Sequence, residues 1–578
     1  MKVVCIGAGF SGITAGIRFS QRVPNIDLKI YDKAAGVGGT WYANKYPGLA
    51  CDIPSHCYQL TFEENRQWSS FYAPGPEILA YLQNLVMKYK ITRYIHLRHE
   101  LMSARWDADA GKWHLRIRRH SSLSDGKTEV VPPSPASSSR DSTLVDEEYE
   151  DFEDITDVLF LGTGALSRWS WPDIEGLNNF KGRLLHSAQW DVSDGAWEEG
   201  VKDWNKKDVG VIGLGSTALQ IVPALQPKVN HLVNFVRGKT WIAPSACEDK
   251  LVHLLSRPSS GNHTFTEEER RLFEDTEYYK SFRHSLESEL NAAYSICLRD
   301  SPIHKAVTEI FRKDMVARLA KKPWIADYIV PSFEVGCKRL TPGPGYLEAL
   351  CEENVHFETT HIKRVTHNGV ELIDGRHHKL DVLVCATGFE TSYRMPFDVI
   401  GREGRDLRVQ WEPHASAYLA VAVDGFPNMF MSLGPNSFVN AGSLLGLMER
   451  QVDYAVAATL KLQRERLKSM EVKAEAVADY NEYLKDYFPK TVFSGQCRSW
   501  YKSKDGSITG LWPGSCLHAI CTLSHPRWED FNYELFDKTR NRFFWLGDGQ
   551  THNEKMMTGD RAWYLNDDQV DIPPVPID

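Results

Sequence analysis

A glycine-rich motif close to the amino terminus constrains the fold of this 578-residue chain more than any other feature. The motif G-A-G-F-S-G spans Gly7 to Gly12; it follows an apolar run from Val3 to Ile6 and precedes an amphipathic stretch from Ile13 to Phe19. A second apolar run, Leu28 to Tyr31, ends at Asp32, about 20 residues past the motif, where an acidic side chain accepts hydrogen bonds from a ribose. Strand, turn, helix and strand in this order predict a dinucleotide-binding unit, and a purely structural turn is the alternative.

A second motif of the same kind begins at Gly213. G-L-G-S-T-A, ending at Ala218, follows an apolar run from Val209 to Ile212, and a further strand is predicted from Leu232 to Val236. This strand ends beside Arg237, where the first unit carries an acid, and a base there suits a ribose 2′-phosphate. The first site is therefore expected to bind FAD and the second NADPH. A solvated arginine on a loop is the alternative.

These motifs predict an α/β fold with two Rossmann-like dinucleotide-binding domains, for FAD and NADP, and a helical insertion in the NADP domain. A short repeat supports this organisation, because Asp157–Gly164 and Asp381–Gly388 are similar and each would close one nucleotide-binding sheet. The predicted domains are residues 1–170, 171–380 and 381–578, the last completing the FAD domain and adding a C-terminal extension.

Two segments interrupt this plan. Residues 121–154, rich in Ser and Pro and then acidic, are predicted to form a mobile surface insertion. Residues of about 245–335 are predicted to be a helical insertion that roofs an active site, and Thr266 and Glu269 form a capping-box pattern within it.

Composition excludes several classes of function. The chain is 42% hydrophobic and 25% charged, with a net charge of −9, so no attraction to nucleic acid is expected. No apolar run approaches the length of a spanning helix, and no signal peptide precedes the first motif, so a cytoplasmic protein is expected.

The 11 cysteines are scattered without C-x-x-C and are expected to be reduced thiols. No metal site stands out.

Between the two glycine motifs, F-K-G-R-L-L-H-S-A-Q-W-D runs from Phe180 to Asp191. It fits the fingerprint F-x-G-x-x-x-H-x-x-x-W-[P/D], and here the chain resembles the class B flavoprotein monooxygenases, within them the Baeyer–Villiger monooxygenases. The resemblance implies a linker or hinge role for the fingerprint residues Gly182, His186 and Trp190, with no proton transfer by His186.

Other segments agree with this resemblance. Gly38–Trp41 and Tyr46–Asp52 are similar to the family's flavin-contacting loop, and Lys338–Leu340 resembles the block with the active-site arginine. Gly434–Asn436 and Ser499–Tyr501 resemble late segments that close over flavin and nicotinamide. The 121–154 insertion and an extension from about Ile508 depart from bacterial members. R-W-E-D from Arg527 and N-R-F from Asn541 are similar to a fungal-type branch.

The resemblance implies that Arg339 is the catalytic guanidinium and that Asp52 orients it. A surface ion pair is the alternative for this pair, and a core tryptophan is the alternative for Trp500. The expected cofactor-binding residues are Gly7, Gly9, Gly12, Asp32, Lys33, Gly39, Thr40, Trp41, Asp52, Tyr58, Gly213, Gly215, Ser216, Thr217, Gln220, Arg237, Lys338, Asn436 and Trp500.

The implied reaction uses NADPH, FAD and molecular oxygen. NADPH reduces FAD, oxygen adds to give a C4a-peroxyflavin, and this species inserts one oxygen atom beside a ketone carbonyl to form an ester or lactone. The chain's length, C-terminal extension and aromatic content suggest a bulky apolar ketone, such as a steroid or polyketide, and a role in secondary metabolism. An N- or S-oxygenating flavin monooxygenase, a flavoprotein reductase and a nucleotide-binding scaffold without turnover remain as alternatives.

Overall fold

The computed structural model describes residues 1–120, 149–192, 196–244, 247, 251–252, 255, 261–299, 301–537 and 541–570. Within these ranges, two five-stranded parallel sheets form the centres of two α/β units. Their central strands are buried, as is typical of parallel sheets that are covered by helices on both faces. The predicted fold, with two Rossmann-like units and an inserted helical segment, is confirmed.

The first sheet is built around the amino-terminal strand Lys2–Ile6. This strand pairs with Asp27–Asp32 on one side and with Val158–Leu161 on the other. In spatial order, the strands of the sheet are Met429–Met431, Val158–Leu161, Lys2–Ile6, Asp27–Asp32 and Ile95–Leu97. Because the connections from Lys2–Ile6 run to opposite sides, a crevice forms at the carboxyl ends of the two neighbouring strands, where such sheets bind ligands.

The second sheet repeats this arrangement around Asp208–Ile212. In spatial order, its strands are Val355–Glu358, His231–Phe235, Asp208–Ile212, Val382–Cys385 and Arg183–His186. The helix Ser216–Leu225 follows the second glycine motif, as the helix Phe10–Arg22 follows the first. Each helix buries its apolar side against its own sheet.

The two copies of the sequence repeat occupy corresponding places, each beside the strand that precedes a glycine motif. The prediction that each copy closes a nucleotide-binding sheet is therefore confirmed. The predicted boundary at residue 381 is wrong, however, because Val382–Cys385 belongs to the second sheet and the chain returns to the first unit only after it. The boundary depends on which strand pairs with which, and a local repeat does not contain that information.

A mixed sheet packs on the first unit through an apolar cluster that includes Trp113. Its strands, in spatial order, are Asp398–Ile400, His99–Asp107, Lys112–His120 and Tyr149–Thr156. The last strand overlaps the predicted mobile insertion, so that prediction is wrong for residues 149–154; residues 121–148 lie outside the described residues.

The reason lies in the charges of the neighbouring strand. Asp151 pairs with Arg118, with 2.8 Å between Nε and Oδ1, and also with Arg116. Asp154, which is buried, accepts hydrogen bonds from the Tyr31 hydroxyl at 2.8 Å and from Lys29 Nζ at 3.1 Å. Bases on the neighbouring strand and on the strand Asp27–Asp32 of the first sheet thus neutralise an acidic run that looks solvated when only its own composition is considered.

The described helices are Phe10–Arg22, Thr40–Ala43, Gly75–Lys88, Trp197–Gly200, Ser216–Leu225, Glu267–Leu272, Thr276–Ala292, Pro302–Arg318, Ile325–Ile329, Tyr346–Cys351, Leu407–Gln410, Leu444–Arg464, Ala474–Tyr487, Cys516–Ser524 and His552–Met556. Those from Glu267 to Ile329 form the predicted helical insertion. The capping box between Thr266 and Glu269 is present. The insertion reaches the first unit, where the Tyr279 hydroxyl lies 3.0 Å from Nδ1 of His56.

Smaller elements complete the described fold. Antiparallel strands are formed by Ile362–Thr366, Gly369–Leu372 and His377–Lys379, and by Leu467–Val472 with Phe531–Leu535; Ile242–Ala243 pairs in parallel with Thr341–Pro342. None of the helices in the described part of the chain is long and apolar enough to span a membrane.

The cysteines depart from expectation at one place. Cys337 and Cys497 form a disulfide, so the prediction that the thiols are reduced is wrong for this pair. Scattered positions in the sequence do not reveal that two cysteines meet, because the fold brings together residues 160 positions apart.

Candidate active site

The first glycine motif forms a tight turn at the carboxyl end of Lys2–Ile6. Gly7 has a φ of +106°, and a Cβ atom there would lie 2.4 Å from the carbonyl oxygen of Gly162. A Cβ atom on Gly12 would lie 1.8 Å from the carbonyl oxygen of Gly7. These two positions therefore require glycine, and the turn presents the amino end of the helix Phe10–Arg22 to the crevice of the first sheet.

Asp32 lies beside this turn at the end of the second strand. Its carboxylate accepts hydrogen bonds from the backbone N–H groups of Ala8 at 2.6 Å and Ala34 at 2.7 Å. Burial raises the pKa of the Asp32 carboxyl group. Asp32 is thus held next to the glycine turn, whereas the adjacent Lys33 is exposed, and ribose binding by Asp32 stays a prediction.

The predicted flavin loop also reaches the turn. Gly39 approaches Gly9 closely, since a Cβ atom on Gly39 would lie 2.8 Å from the Gly9 Cα atom. Trp41 donates from Nε1 to the Tyr58 hydroxyl at 3.3 Å, and Tyr58 packs edge-on against Phe10 of the motif. The fold therefore gathers Gly9, Gly39, Trp41 and Tyr58 around one crevice, while Thr40 is exposed beside them.

The second glycine motif has the same geometry at the end of Asp208–Ile212. A Cβ atom on Gly213 would lie 2.4 Å from the Ala386 carbonyl oxygen, whereas one on Gly215 would meet no atom within 4 Å. Open space therefore lies before the helix Ser216–Leu225, as a pyrophosphate requires. Thr217 stands in the first turn of this helix, and the Ser216 hydroxyl lies 2.6 Å from that of Thr341.

The Gln220 side chain has two partners within the protein, and its expected role in cofactor binding stays a prediction. Its side-chain oxygen accepts from the Tyr46 hydroxyl at 2.9 Å, and its amide nitrogen donates to the Ala50 carbonyl at 2.9 Å. The side chain therefore fastens the second unit to the loop that leads to Asp52. This tie was not foreseen, since Tyr46 and Gln220 are far apart in the sequence.

Lys338 comes from a distant segment but contacts the loop that carries Arg237. Arg237 is exposed directly after the strand His231–Phe235, and Lys338 donates from Nζ to the carbonyl oxygen of Lys239 at 2.9 Å. Burial lowers the pKa of the Lys338 ammonium group. The loop that follows this strand thus carries Arg237 and contacts Lys338, and binding of a 2′-phosphate by these two residues stays a prediction.

Arg339 and Asp52 form a bidentate ion pair between the two units. The guanidinium donates from Nε to Oδ2 at 2.8 Å and from Nη2 to Oδ1 at 2.7 Å. The side chains are 29% and 18% exposed, so the pair is largely shielded from water. The negative charge of Asp52 raises the pKa of Arg339, which stays protonated at any working pH.

The late segments reach this pair through Tyr501. Asn436 is buried and donates from Nδ2 to the carbonyl oxygens of Ile508 at 2.7 Å and Leu511 at 2.9 Å. Its amide therefore ties the Gly434–Asn436 segment to residues 508–511. Trp500 is half-buried against Phe438, with ring centroids 4.9 Å apart.

Tyr501 lies in one of the predicted late segments and contacts Arg339, although it was not among the expected site residues. It is buried, its hydroxyl donates to Asn440 Oδ1 at 3.2 Å, and the Arg339 charge opposes the effect of burial, which raises the pKa of Tyr501. Its position directly after Trp500 in the S-W-Y motif was the available signal.

The fingerprint residues lie where the chain enters the second unit. Gly182 is close-packed, since a Cβ atom there would lie 2.4 Å from the Asp381 carbonyl oxygen. His186 stacks on Trp169 at 4.3 Å, and Nε2 lies 3.2 Å from the Thr387 hydroxyl oxygen. Burial lowers the pKa of His186 to about 4, so the imidazole is neutral at pH 7. Trp190 is buried. A hinge role for these residues stays a prediction.

A cluster outside this site contains metal-ligand residue types. His356, Glu358 and His378 place one ligand atom each within 4.8 Å of one another. The Glu358 carboxylate is already bound by the Arg376 guanidinium at 2.7 Å and by the Thr360 N–H at 2.7 Å. The cluster is therefore a charge-paired network. Its members are separated along the chain, so the sequence did not reveal that they meet.

Comparison with known proteins identifies the family. A family profile described as an NAD(P)-binding Rossmann-like domain matches residues 5–74. The FAD-binding monooxygenase tazF of Aspergillus terreus is 39% identical over 98% of this chain and 94% of its own length. A Baeyer–Villiger monooxygenase of Pseudomonas aeruginosa is 33% identical, over 89% of this chain and 88% of its own. This chain belongs to the Baeyer–Villiger monooxygenase family.

Solved structures agree with this membership. The closed crystal structure of cyclohexanone monooxygenase superposes with a TM-score of 0.72 at 25% identity, and oxidized steroid monooxygenase bound to NADP with 0.74 at 25%. Each covers 92% of this chain and 99% of its own. The protein is thus an FAD- and NADPH-dependent enzyme that uses O2 and a small-molecule ketone. When bound, FAD accepts hydride from NADPH and activates oxygen for insertion beside the carbonyl.

Proposed function

We propose that Arg339 is the group that stabilises negative charge on the substrate oxygen, and that Asp52 orients it. The bidentate pair between the two units carries this proposal. Asp52 binds the Nε and Nη2 edge of the guanidinium, and the Tyr501 hydroxyl is a further hydrogen-bond partner of Arg339, so we place the reacting oxygen beside Tyr501. A fixed cation in a shielded site stabilises developing negative charge without reorganisation.

We further propose that FAD binds to the first unit and NADPH to the second. Asp32 beside the first turn supports ribose recognition there. Arg237 and Lys338 beside the second sheet support recognition of the 2′-phosphate. The Arg339–Asp52 pair then lies between the two nucleotides, which suits a reaction that begins with hydride transfer and ends with oxygen insertion.

The proposed substrate is a bulky apolar ketone. An apolar cluster lies next to Arg339 through Tyr501 and also contains Phe438, Phe493 and Leu511. Trp500 and Tyr294 pack against this cluster. Partly buried aromatic side chains beside one convergent polar group would suit a site that orients a large hydrophobic ligand by a single carbonyl.

The test is product analysis with NADPH and O2 on two ketones, cyclohexanone and a steroid ketone. We expect ester or lactone from both, with a higher kcat/KM for the steroid ketone because it buries more apolar surface. A preference for cyclohexanone would contradict the proposed size of the pocket.

Asp52→Asn, which keeps the shape of the side chain and removes its charge, is expected to slow ester formation more than flavin reduction.

A further inference from the structure

The disulfide between Cys337 and Cys497 lies beside the Arg339–Asp52 pair. Cys337 directly precedes Lys338 and Arg339, and Cys497 begins the segment that carries Trp500 and Tyr501. The two Cα atoms are 6.3 Å apart, and both cysteines are buried, with 0% and 7% of their surface exposed. The bond therefore joins the two segments that flank the proposed reaction site.

The segment that contains Arg339 is anchored on the second unit. Lys338 donates to the carbonyl oxygen of Lys239 at 2.9 Å, and Thr341–Pro342 pairs with Ile242–Ala243. The Arg339 side chain then extends from this anchor to Asp52 on the first unit. Its placement consequently depends on how the two units are held together at this point.

The segment from Cys497 to Leu511 is anchored on the first unit. The Phe438 N–H donates to the Gly510 carbonyl at 2.9 Å, and the Trp512 N–H donates to the Phe438 carbonyl at 2.8 Å. The Tyr501 hydroxyl donates to Asn440 Oδ1 at 3.2 Å. The disulfide is thus a covalent tie between a segment held by one nucleotide unit and a segment held by the other.

We propose that the Cys337–Cys497 disulfide positions Arg339 against the Trp500–Tyr501 segment and thereby determines how much NADPH oxidation ends in ester. Without the bond, only non-covalent contacts hold the two segments together. More of the oxygen that is reduced at the expense of NADPH would then be released as hydrogen peroxide, and less would enter the ester. The disulfide acts through these neighbours and is a positioning element. The inference rests on the role proposed for Arg339, but the bond and its effect on coupling are measurable independently of that role.

The first experiment tests the bond itself. The holoenzyme is alkylated under denaturing conditions without reductant, digested and analysed by mass spectrometry. We expect one cross-linked peptide pair that contains Cys337 and Cys497, which a dithiol converts into two alkylatable thiols. In that step the S–S bond gains two electrons and two protons, and the dithiol is oxidised to its cyclic disulfide. Recovery of both cysteines in alkylated form before reduction would overturn the proposal.

The second experiment measures ester formed and hydrogen peroxide released per NADPH oxidised in Cys337→Ser, Cys497→Ser and the double variant. We expect the ester yield to fall about tenfold, within the range of up to about 10²-fold that an ångström of misplacement costs. All three variants should fall alike, because each removes the same bond. Cys521→Ser, at an exposed free cysteine, is the matched control and should keep the wild-type yield.

The ester yield per NADPH oxidised distinguishes a positioning effect from a loss of stability. Only folded molecules oxidise NADPH and convert ketone, so an unfolded fraction lowers both rates equally and leaves their ratio unchanged. Wild-type enzyme that is reduced and then reoxidised with diamide should regain its yield, and the double variant should not. Unchanged yield in all three variants would refute the inference.

Comparison with Arg339→Ala keeps the two proposals apart. If that variant keeps its yield while the cysteine variants lose theirs, the role of Arg339 is wrong and the cross-link acts through Trp500 and Tyr501. If it loses yield while the cysteine variants keep theirs, the cross-link proposal alone falls.

Discussion

Replacement of Arg339 by alanine should separate flavin reduction from oxygen insertion. Arg339 pairs with Asp52 between the two nucleotide units, and in its proposed role its charge matters most when negative charge develops on the substrate oxygen. Loss of one preorganised donor of this kind typically costs about 3–4 kcal/mol, or roughly 10²–10³ in rate. Flavin reduction by NADPH should persist in Arg339→Ala, because hydride transfer places no such charge there.

The structure adds a second contribution to this loss. In Arg339→Ala the Asp52 carboxylate, only 18% exposed, remains without its bidentate partner and repels the developing charge. At a separation of roughly 6 Å and an effective dielectric constant of about 20, two like charges repel by about 3 kcal/mol. The double variant Arg339→Ala/Asp52→Asn should therefore form ester faster than the single variant, by roughly 100-fold.

The assay combines stopped-flow flavin reduction, ester quantification and peroxide detection on the same preparations. Arg339→Lys is the graded control and should recover part of the ester, because an ammonium group keeps the charge but lacks the planar fork. Ester formation in Arg339→Ala within about threefold of wild type would be far from the 10²-fold loss and would refute the proposed role. A double variant no faster than the single one would refute the electrostatic account of Asp52.

Three further outcomes are expected. Arg237→Ala should reduce the preference for NADPH over NADH by roughly 10- to 150-fold in steady-state kinetics with both nucleotides, because one charge-assisted contact is lost. The control Lys239→Ala, on the same loop, should retain the preference. An unchanged ratio in Arg237→Ala would place the 2′-phosphate elsewhere. Gly9→Asp should abolish flavin retention, read from the absorbance of the purified protein, because a carboxylate would face the pyrophosphate; a fully yellow variant would contradict the FAD site. Burial raises the pKa of the Glu287 carboxyl group from 4.5 in the unfolded chain to about 7 in the folded protein. The protonated carboxyl group therefore stabilises the fold fully below pH 4.5. This contribution, at most about 3 kcal/mol, is lost as the pH rises through 7. Thermal unfolding between pH 5 and 8.5 should therefore depend less on pH in Glu287→Gln, and identical profiles would contradict that burial.

The local features of the sequence were sufficient for the two nucleotide units. Gly7, Gly12 and Gly213 are recognisable because a strand, a turn and a helix that follow one another within about 20 residues determine the geometry themselves. The capping box of Thr266 and Glu269 was predictable for the same reason, since both partners belong to one helical turn. The fixed residues of the fingerprint between Phe180 and Asp191 likewise indicated the family without knowledge of any contact.

Contacts between distant residues were decided only by the tertiary structure. The acidic strand at Asp151 is ordered by bases across the sheet, and Gln220 and Asn436 have amide groups already bound by partners elsewhere in the chain. The same holds for Cys337, whose partner lies 160 positions away. A residue type states which bonds a side chain is able to make, but which bond it makes depends on the neighbours that folding brings within about 3 Å.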